Sequence, residues 1–237
     1  MLQRVLEPEI MDSPEEAMAY DAMDHAEVNA RFCQDLIEFA SGTAITEGEP
    51  QPLFRVLDVG TGTALIPIEL CARMHNVRLL GIDLGVNMLN VGRANIERAE
   101  LSHRIALAEV DAKALPYQDG AFNWTISNSI LHHIAEPARV VAEMWRVTAK
   151  GGVLFVRDLA RPDQASDIDR LVERYGGTPP ENAALFDTFE HQRKIFRDSL
   201  GASLTVREIC VLARGLGISN DAAMTSDRHW TLATKKP

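Results

Sequence analysis

Three aspartates stand where apolar runs come to an end: Asp58 in "VLDVG", Asp83 in "LLGIDL" and Asp111 in "AEVDAKALP". Between the first two lie Gly60 and Gly62, one residue apart. A carboxylate among core residues needs partners. Two positions without side chains let the main chain turn sharply and approach a ligand. A helix beginning near Thr63 would point its free N–H groups at the same spot. The combination predicts a nucleotide site, and Asp83 follows Gly62 at about the twenty-residue spacing at which an acid accepts hydrogen bonds from ribose hydroxyls. Asp111 reads either as part of this site or as a turn cap.

Two details argue against a dinucleotide. The phosphate-binding pattern G-x-G-x-x-G requires glycine at 65, where the chain has Leu65. Asp58 would also repel a pyrophosphate, whereas it would attract a cation. S-adenosylmethionine (SAM) suits such a site: it offers adenine and ribose to Asp83, an ammonium near Asp58, and a sulfonium as a further positive charge.

Other clusters admit two readings each. His132 or His133 in "LHHI" is a candidate general base near neutral pH, with His132 the first choice, or the two start a helix with purely structural bonds. Arg157 and Asp158 close an apolar run; they pair with each other, or, with Arg161, they bind a polar or anionic acceptor. The "SDRHW" stretch with His229 is a subunit contact or a substrate wall, and "MDH" with His25 is a third such cluster. Phe186, Phe189 and Phe196 form a stripe of helix core or dimer face rather than a substrate box. Cys33, Cys71 and Cys210 are widely spaced, which suits reduced core thiols better than a soft-metal site. No metal-ligand spacing recurs, and no metal is expected.

Periodicity defines the elements that must position these residues. Residues 13–41 read as helix, with Ser13 as N-cap, Pro14 at the first helical position and glutamates in the first turn. Gly42 is the expected C-cap, and 46–52 a linker. Strand and helix then alternate: strands at 53–60, 77–84, 104–112, 122–129 and 151–159, helices at 64–74, 85–100 and 137–148. This pattern predicts βαβ units around a mostly parallel sheet, with Gly151-Gly152 as a tight turn before the fifth strand. Residues 167–177, 181–200 and 205–217 read as three successive helices over the sheet's carboxyl edge, where open α/β folds bind ligands. The segment 222–236 reads as a terminal strand pair.

The chain has 237 residues, with 34 acids against 24 bases and a formal charge of −10. An acidic surface disfavours nucleic acid and anionic membranes. The first residues lack a signal peptide's basic start, and no apolar run is long enough to span a membrane. A cytoplasmic protein is expected.

The ordered set of motifs resembles the class I SAM-dependent methyltransferases, and within them the ubiquinone/menaquinone-biosynthesis-like group that acts on small molecules. "VLDVGTGTA" is similar to motif I, "GIDL" to the ribose motif, "VDAKALPYQDGAFNWTISNSILHHI" to the stretch from the adenine acid through strand four, and "RVTAKGGVLFVRDL" to the fifth strand and its approach. The likeness spans 53–159, and "HWTLATKK" resembles the family's last strand. The family's third motif-I glycine is Ala64 here, a change that adds one methyl and should not block the site.

The resemblance implies a Rossmann-like doubly wound sheet of seven strands, the last antiparallel. It divides the chain into an N-terminal helical cap (1–50), a core (51–160), a helical lid (161–217) and final core strands (218–237), all in one structural domain. It implies that Asp58, Gly60, Thr61, Gly62, Thr63 and Asn128 surround the methionine part of SAM. It gives Asp83 to the ribose, Leu84 and Met88 to the adenine's surroundings, Asp111 with Ala112 to the adenine amine, and Tyr20 to a closing role. Methyl transfer by in-line displacement needs alignment and dryness more than a nucleophile. The partner is a small-molecule acceptor, with a homodimer admitted. Competing functions are other SAM chemistry on this fold, a non-catalytic interaction module, and a nicotinamide dehydrogenase, which the missing glycine at 65 disfavours.

Overall fold

A computed structural model describes residues 2–7, 13–41, 53–180, 182 and 186–237. Gly42, the linker 46–52 and most of the start expected for the second lid helix (181 and 183–185) lie outside the described residues.

Seven strands form one sheet: β1 (Phe54–Val59), β2 (Val77–Asp83), β3 (Ile105–Glu109), β4 (Phe122–Asn128), β5 (Thr148–Leu159), β6 (Ala223–Met224) and β7 (His229–Lys235). Their order is β3-β2-β1-β4-β5-β7-β6. β1 to β5 are parallel, β7 runs antiparallel to β5, and β6 antiparallel to β7. The chain reverses its direction of travel across the sheet between β1 and β4, so the carboxyl ends of those two strands border the crevice where open α/β sheets take ligands.

Successive strand residues face opposite sides. Leu57, Val59, Leu154, Val156, Trp230 and Leu232 pack with α5 (Pro137–Val147) and α8 (Val206–Gly215). Val56, Trp124, Ile126 and Phe155 pack with α2 (Ala26–Ala40), α3 (Leu65–Arg73) and α4 (Val86–Arg98). Phe32, Leu36 and Leu70 in that layer are fully buried, which contributes about 1.5–3 kcal/mol per side chain. α6 (Ala165–Tyr175) and α7 (Phe186–Ala202) pack on each other and on Leu159, beyond the end of β5. α8 instead joins the α5 layer through Ile209, Cys210 and Ala213.

Four local readings are corrected. The N-terminal helical stretch is two helices, α1 (Pro14–Asp21) and α2, broken at 22–25. Ser13 does cap α1, in a reciprocal pair with Glu16. Gly151 and Gly152 do not precede β5 but lie inside it, where four residues (149–152) bulge against Asn123 of β4. Gly151 has φ 72°, and a Cβ on Gly152 would stand 2.3 Å from the Asn123 carbonyl. The helix after the glycine turn begins at Leu65, not Thr63, and β3 ends at Glu109, so Asp111 sits in the loop beyond it.

Residues 2–7 run as a strap between α7 and a single-turn 3-10 helix (Leu131–His133) that follows β4. The Arg4 guanidinium donates to the carbonyls of Leu131, Ile134 and Ala202 at 3.1, 2.9 and 2.5 Å. The Val5 N–H donates to the Gly201 carbonyl at 3.2 Å.

Candidate functional site

The turn after β1 is left-handed at three alternate positions: Gly60 (φ 73°), Gly62 (φ 52°) and Ala64 (φ 64°). The Gly60 and Thr61 N–H groups both donate to the Ile82 carbonyl at 2.9 Å, which folds the turn across the end of β2. A Cβ on Gly60 would collide with Ile130 Cδ1 at 2.4 Å. A Cβ on Gly62 would meet only the Tyr20 ring, at 3.9 Å, so the main chain there is bare toward the cleft. Ala64 holds a conformation that costs an L-residue about 1–2 kcal/mol. Its methyl is fully buried, and it sits 3.3 Å from where a Cβ on Gly92 would be. The missing side chain at Gly92 in α4 makes room for the methyl that replaces the usual motif-I glycine.

A cleft opens above this turn, lined by Tyr20, Gly60, Gly62, Asp83, Leu84, Met88, Asp111, Ala112 and Asn128 together with Ile82, Val110, Ser129, Ile130, His133 and Ile134. Asp83 Oδ2 accepts from the Gly62 N–H and Oδ1 from the Gly85 N–H, each at 2.9 Å, so the carboxylate braces the turn it faces. Burial nonetheless raises its pKa, and those main-chain donors offset part of the rise. Asp58, buried beneath the turn, is pushed up to about 7, first by burial and further by Asp83, with Thr61 opposing. Neither acid has an ion-pair partner among the described residues. Asp111 is more open; its Oδ1 takes the Lys113 N–H at 2.8 Å, and Lys113 holds its pKa below the usual range despite partial burial. Asn128 Oδ1 is buried at the end of β4 with no hydrogen-bond partner among the described residues.

Tyr20 covers the turn. Burial, then Asp83, Asp58 and Asp21, push its hydroxyl up to about 12. Asn95, which the sequence did not single out, fixes this arrangement. Its Nδ2 donates to Asp21 Oδ1 at 2.7 Å and to the Thr63 carbonyl at 3.1 Å, tying α1, α4 and the glycine turn together. His25 stacks on Tyr20 at 4.5 Å between ring centroids, and its Nε2 lies 2.9 Å from the Tyr20 carbonyl. His25 thus supports the cover.

Several predicted side chains do not reach the cleft. Thr61 and Thr63 are buried, and Thr61 points at β2, its Oγ1 2.6 Å from where a Cβ on Gly81 would be. His132 is turned inward: its Nδ1 lies 2.6 Å from Asp158 Oδ1 and its main-chain N–H 3.1 Å from Asp158 Oδ2. His133, the next residue, lines the cleft instead. Arg157 and Asp158 do not pair with each other, because adjacent strand residues face opposite sides. Arg157 bonds Asp35 at 2.6 Å and Thr231 Oγ1 at 2.9 Å, flanked by the rings of Phe32 and Phe155. Arg161 bonds the Ser203 carbonyl and Glu208, at 2.7 and 2.6 Å. His229 contacts Ser226 in the β6–β7 turn, and burial pushes its pKa down to about 4. The expected acceptor residues thus scatter into the scaffold. No sequence spacing reports which face of a strand end a charged side chain will take.

Phe189 and Phe196 pack as helix core, while Phe186 is half exposed. The three cysteines are free and buried. Among the described residues one trio carries metal-ligand chemistry, Glu7, His132 and His133, with ligand atoms within 4.8 Å of one another.

A doubly wound sheet with a glycine turn after β1 and an acid ending β2 defines a Rossmann-like nucleotide-binding class. Residues 57–156 match the family model described as a methyltransferase domain. A demethylmenaquinone methyltransferase of Roseiflexus castenholzii is 32% identical over 175 residues, 67% of this chain and 72% of that protein. One from Bacteroides fragilis is 30% identical over 110 residues, 46% of this chain and 45% of that protein. The chain spans about half the length of most of the first curated relatives it matches. The fold is also that of a SAM-dependent methyltransferase from Aquifex aeolicus, with TM-score 0.65 and 16% identity over 94% of this chain and 98% of that one. The chain belongs to the class I SAM-dependent methyltransferases.

Proposed function

We propose that this protein transfers a methyl group to a small-molecule acceptor held above the glycine turn. The observation that carries the reading is the pair Asp58 and Asp83, one buried beneath the turn and one half-buried in the cleft, with raised pKa values and no ion-pair partner among the described residues. A cationic ligand with ribose hydroxyls balances both. SAM, when bound, supplies an activated methyl on a sulfonium. Asp83 has lone pairs left for the ribose; Leu84, Met88 and Ala112 flank the adenine, and Asp111 takes its amine. Gly62 leaves room for the methionine part, Gly60 lets Ile130 close against the turn, Asn128 borders the same part, and Asp58 supplies negative charge below. Tyr20, with α1, excludes water so that alignment does the catalytic work. Most of the relatives' names point to a quinone-type acceptor, and one, a phosphatidylethanolamine N-methyltransferase, to an amine. No helix among the described residues is long and apolar enough to cross a membrane, and three unbridged thiols suit the reducing cytoplasm.

Calorimetry of SAM binding tests this. Asp83→Ala removes a charged acceptor and unbraces the turn, and should weaken SAM binding about tenfold or more. Unchanged affinity would remove the ribose assignment. Transfer of labelled methyl from SAM to a metabolite extract then tests catalysis.

Asp58 adds a pH signature. Its folded pKa, about 7, exceeds the usual carboxylate value, so the free protein loses stability as pH rises from about 4 through 7, by on the order of 4 kcal/mol. A bound cation favours the ionised form. SAM affinity should therefore rise from about pH 6 to pH 8, with proton release near pH 6.5 visible as a buffer-dependent heat. A flat profile in both would show that Asp58 does not sense the ligand.

A further inference from the structure

The strap residue Glu7 and the cleft residue His133 meet in a way the SAM site does not explain. His133 Nδ1 lies 3.2 Å from Glu7 Oε2, close enough for an ion pair but without hydrogen-bond alignment. That nitrogen has no exposed surface, yet the side chain is 19% exposed and lines the cleft. The exposed part of the ring is therefore not Nδ1 but lies among the remaining ring atoms, of which Nε2 is the one that can accept a proton. Glu7 is itself fixed: the Ser199 hydroxyl donates to it at 3.1 Å, and Arg4, three residues earlier, anchors the strap to the carbonyls of the 3-10 helix. The other charged groups around His133 are His132 on its own turn, 4.0 Å away between ring centroids, Asp83 at the end of β2 and Asp158 at the end of β5. A carboxylate behind Nδ1 holds the proton there and leaves the Nε2 lone pair for the cleft.

We propose that His133, oriented by Glu7, is the proton acceptor for a weakly acidic hydroxyl on the methyl acceptor. The inference rests on the methyl-transfer reading. The acceptor O–H bond breaks, its proton goes to His133 Nε2, and its electron pair stays on oxygen. That pair forms the new bond to the methyl carbon while the sulfur keeps the pair of the bond that breaks; the imidazolium then returns its proton to solvent. Glu7 is a positioning residue, and the imperfect alignment of its contact is usual for a free site.

The tautomer is the first test, because it needs no acceptor. In full-length protein with 15N-labelled histidine, the neutral His133 ring should carry its proton on Nδ1, and Glu7→Gln should abolish that preference. An Nε2–H ring in the wild type, or no change in E7Q, overturns the proposal. The second test is methyl transfer from labelled SAM to a series of phenols. His133→Asn should slow phenol methylation about 100-fold or more, and E7Q about tenfold or more, in kcat rather than in KM for SAM. The losses should shrink for 4-nitrophenol, which ionises unaided, and E7D should regain part of the rate. Equal losses across the series, or no methylation of any phenol by protein that binds SAM, overturn the base assignment while leaving the SAM site standing. Failure to bind SAM defeats the methyl-transfer reading itself, and the tautomer still judges the dyad. Cobalt(II) bands present in the wild type and lost in E7Q would make the Glu7, His132 and His133 trio a metal site and overturn the proton-acceptor role.

Discussion

Asp158→Ala is expected to destabilise the protein by about 3–5 kcal/mol, the cost of leaving one member of a buried ion pair without its partner. Asp158 and His132 are both buried, 1% and 4% exposed. The Asp158 carboxylate takes His132 Nδ1 and the N–H groups of His132 and Leu159. It joins the end of β5 to the 3-10 helix that carries His133. The pKa shifts predict the pH range of the effect. Burial alone would lower His132, but Asp158 overcomes it and the net shift is upward; burial alone would raise Asp158, but His132 overcomes it and the net shift is downward. The pair's contribution is thus complete between about pH 4 and pH 6.5, the unfolded values of the two groups. It fades as pH rises through the elevated His132 value, and as pH falls through the depressed Asp158 value. Urea melts of wild type and D158A across this range should show the widest gap in the middle. A gap under about 1 kcal/mol at pH 6 would mean that the pair does not hold the 3-10 helix. His132→Phe in the D158A background should recover part of the loss, since it removes the stranded cation.

Gly60→Ala combines a backbone and a packing fault. The position has φ 73°, which costs an L-residue about 1–2 kcal/mol. The new Cβ would also lie 2.4 Å from Ile130 Cδ1 and 2.8 Å from Ile130 Cβ, a core overlap worth about 1–3 kcal/mol. The second contact matters more, since Cβ cannot swing aside. Ile130 lines the cleft, so relief of the clash moves a cleft wall. A stability loss of about 2–5 kcal/mol should therefore accompany a SAM affinity at least about tenfold weaker. Adding Ile130→Ala should return only the part due to the Ile130 Cδ1 and Cγ1 overlaps, leaving the Cβ overlap and the backbone part. A G60A protein with wild-type melting and wild-type SAM affinity would show that the turn has another conformation available.

Sequence alone was enough for the layered sheet, because period-two and period-3.6 patterns arise from near neighbours in the chain. The same locality made the cap of α1 legible, since Ser13 reaches only three residues ahead; Thr205, which caps α8 in the same way with Glu208, was read as part of its helix. Gly60, Gly62 and Asp83 were legible because strand, turn and helix follow one another and place them at the sheet's edge. The direction of each charged side chain was not. Arg157 turns to Asp35, 122 residues away, and Asn95 to Asp21, 74 away. Between His132 and His133, identical and adjacent, the inward member is chosen by Asp158 and the outward one is met by Glu7 from a strap 126 residues earlier in the chain. Such choices depend on which charges the packed layers bring within about 3 Å of each other, a distance at which buried partners outweigh any local preference. Periodicity carries no record of that distance; only the folded chain does.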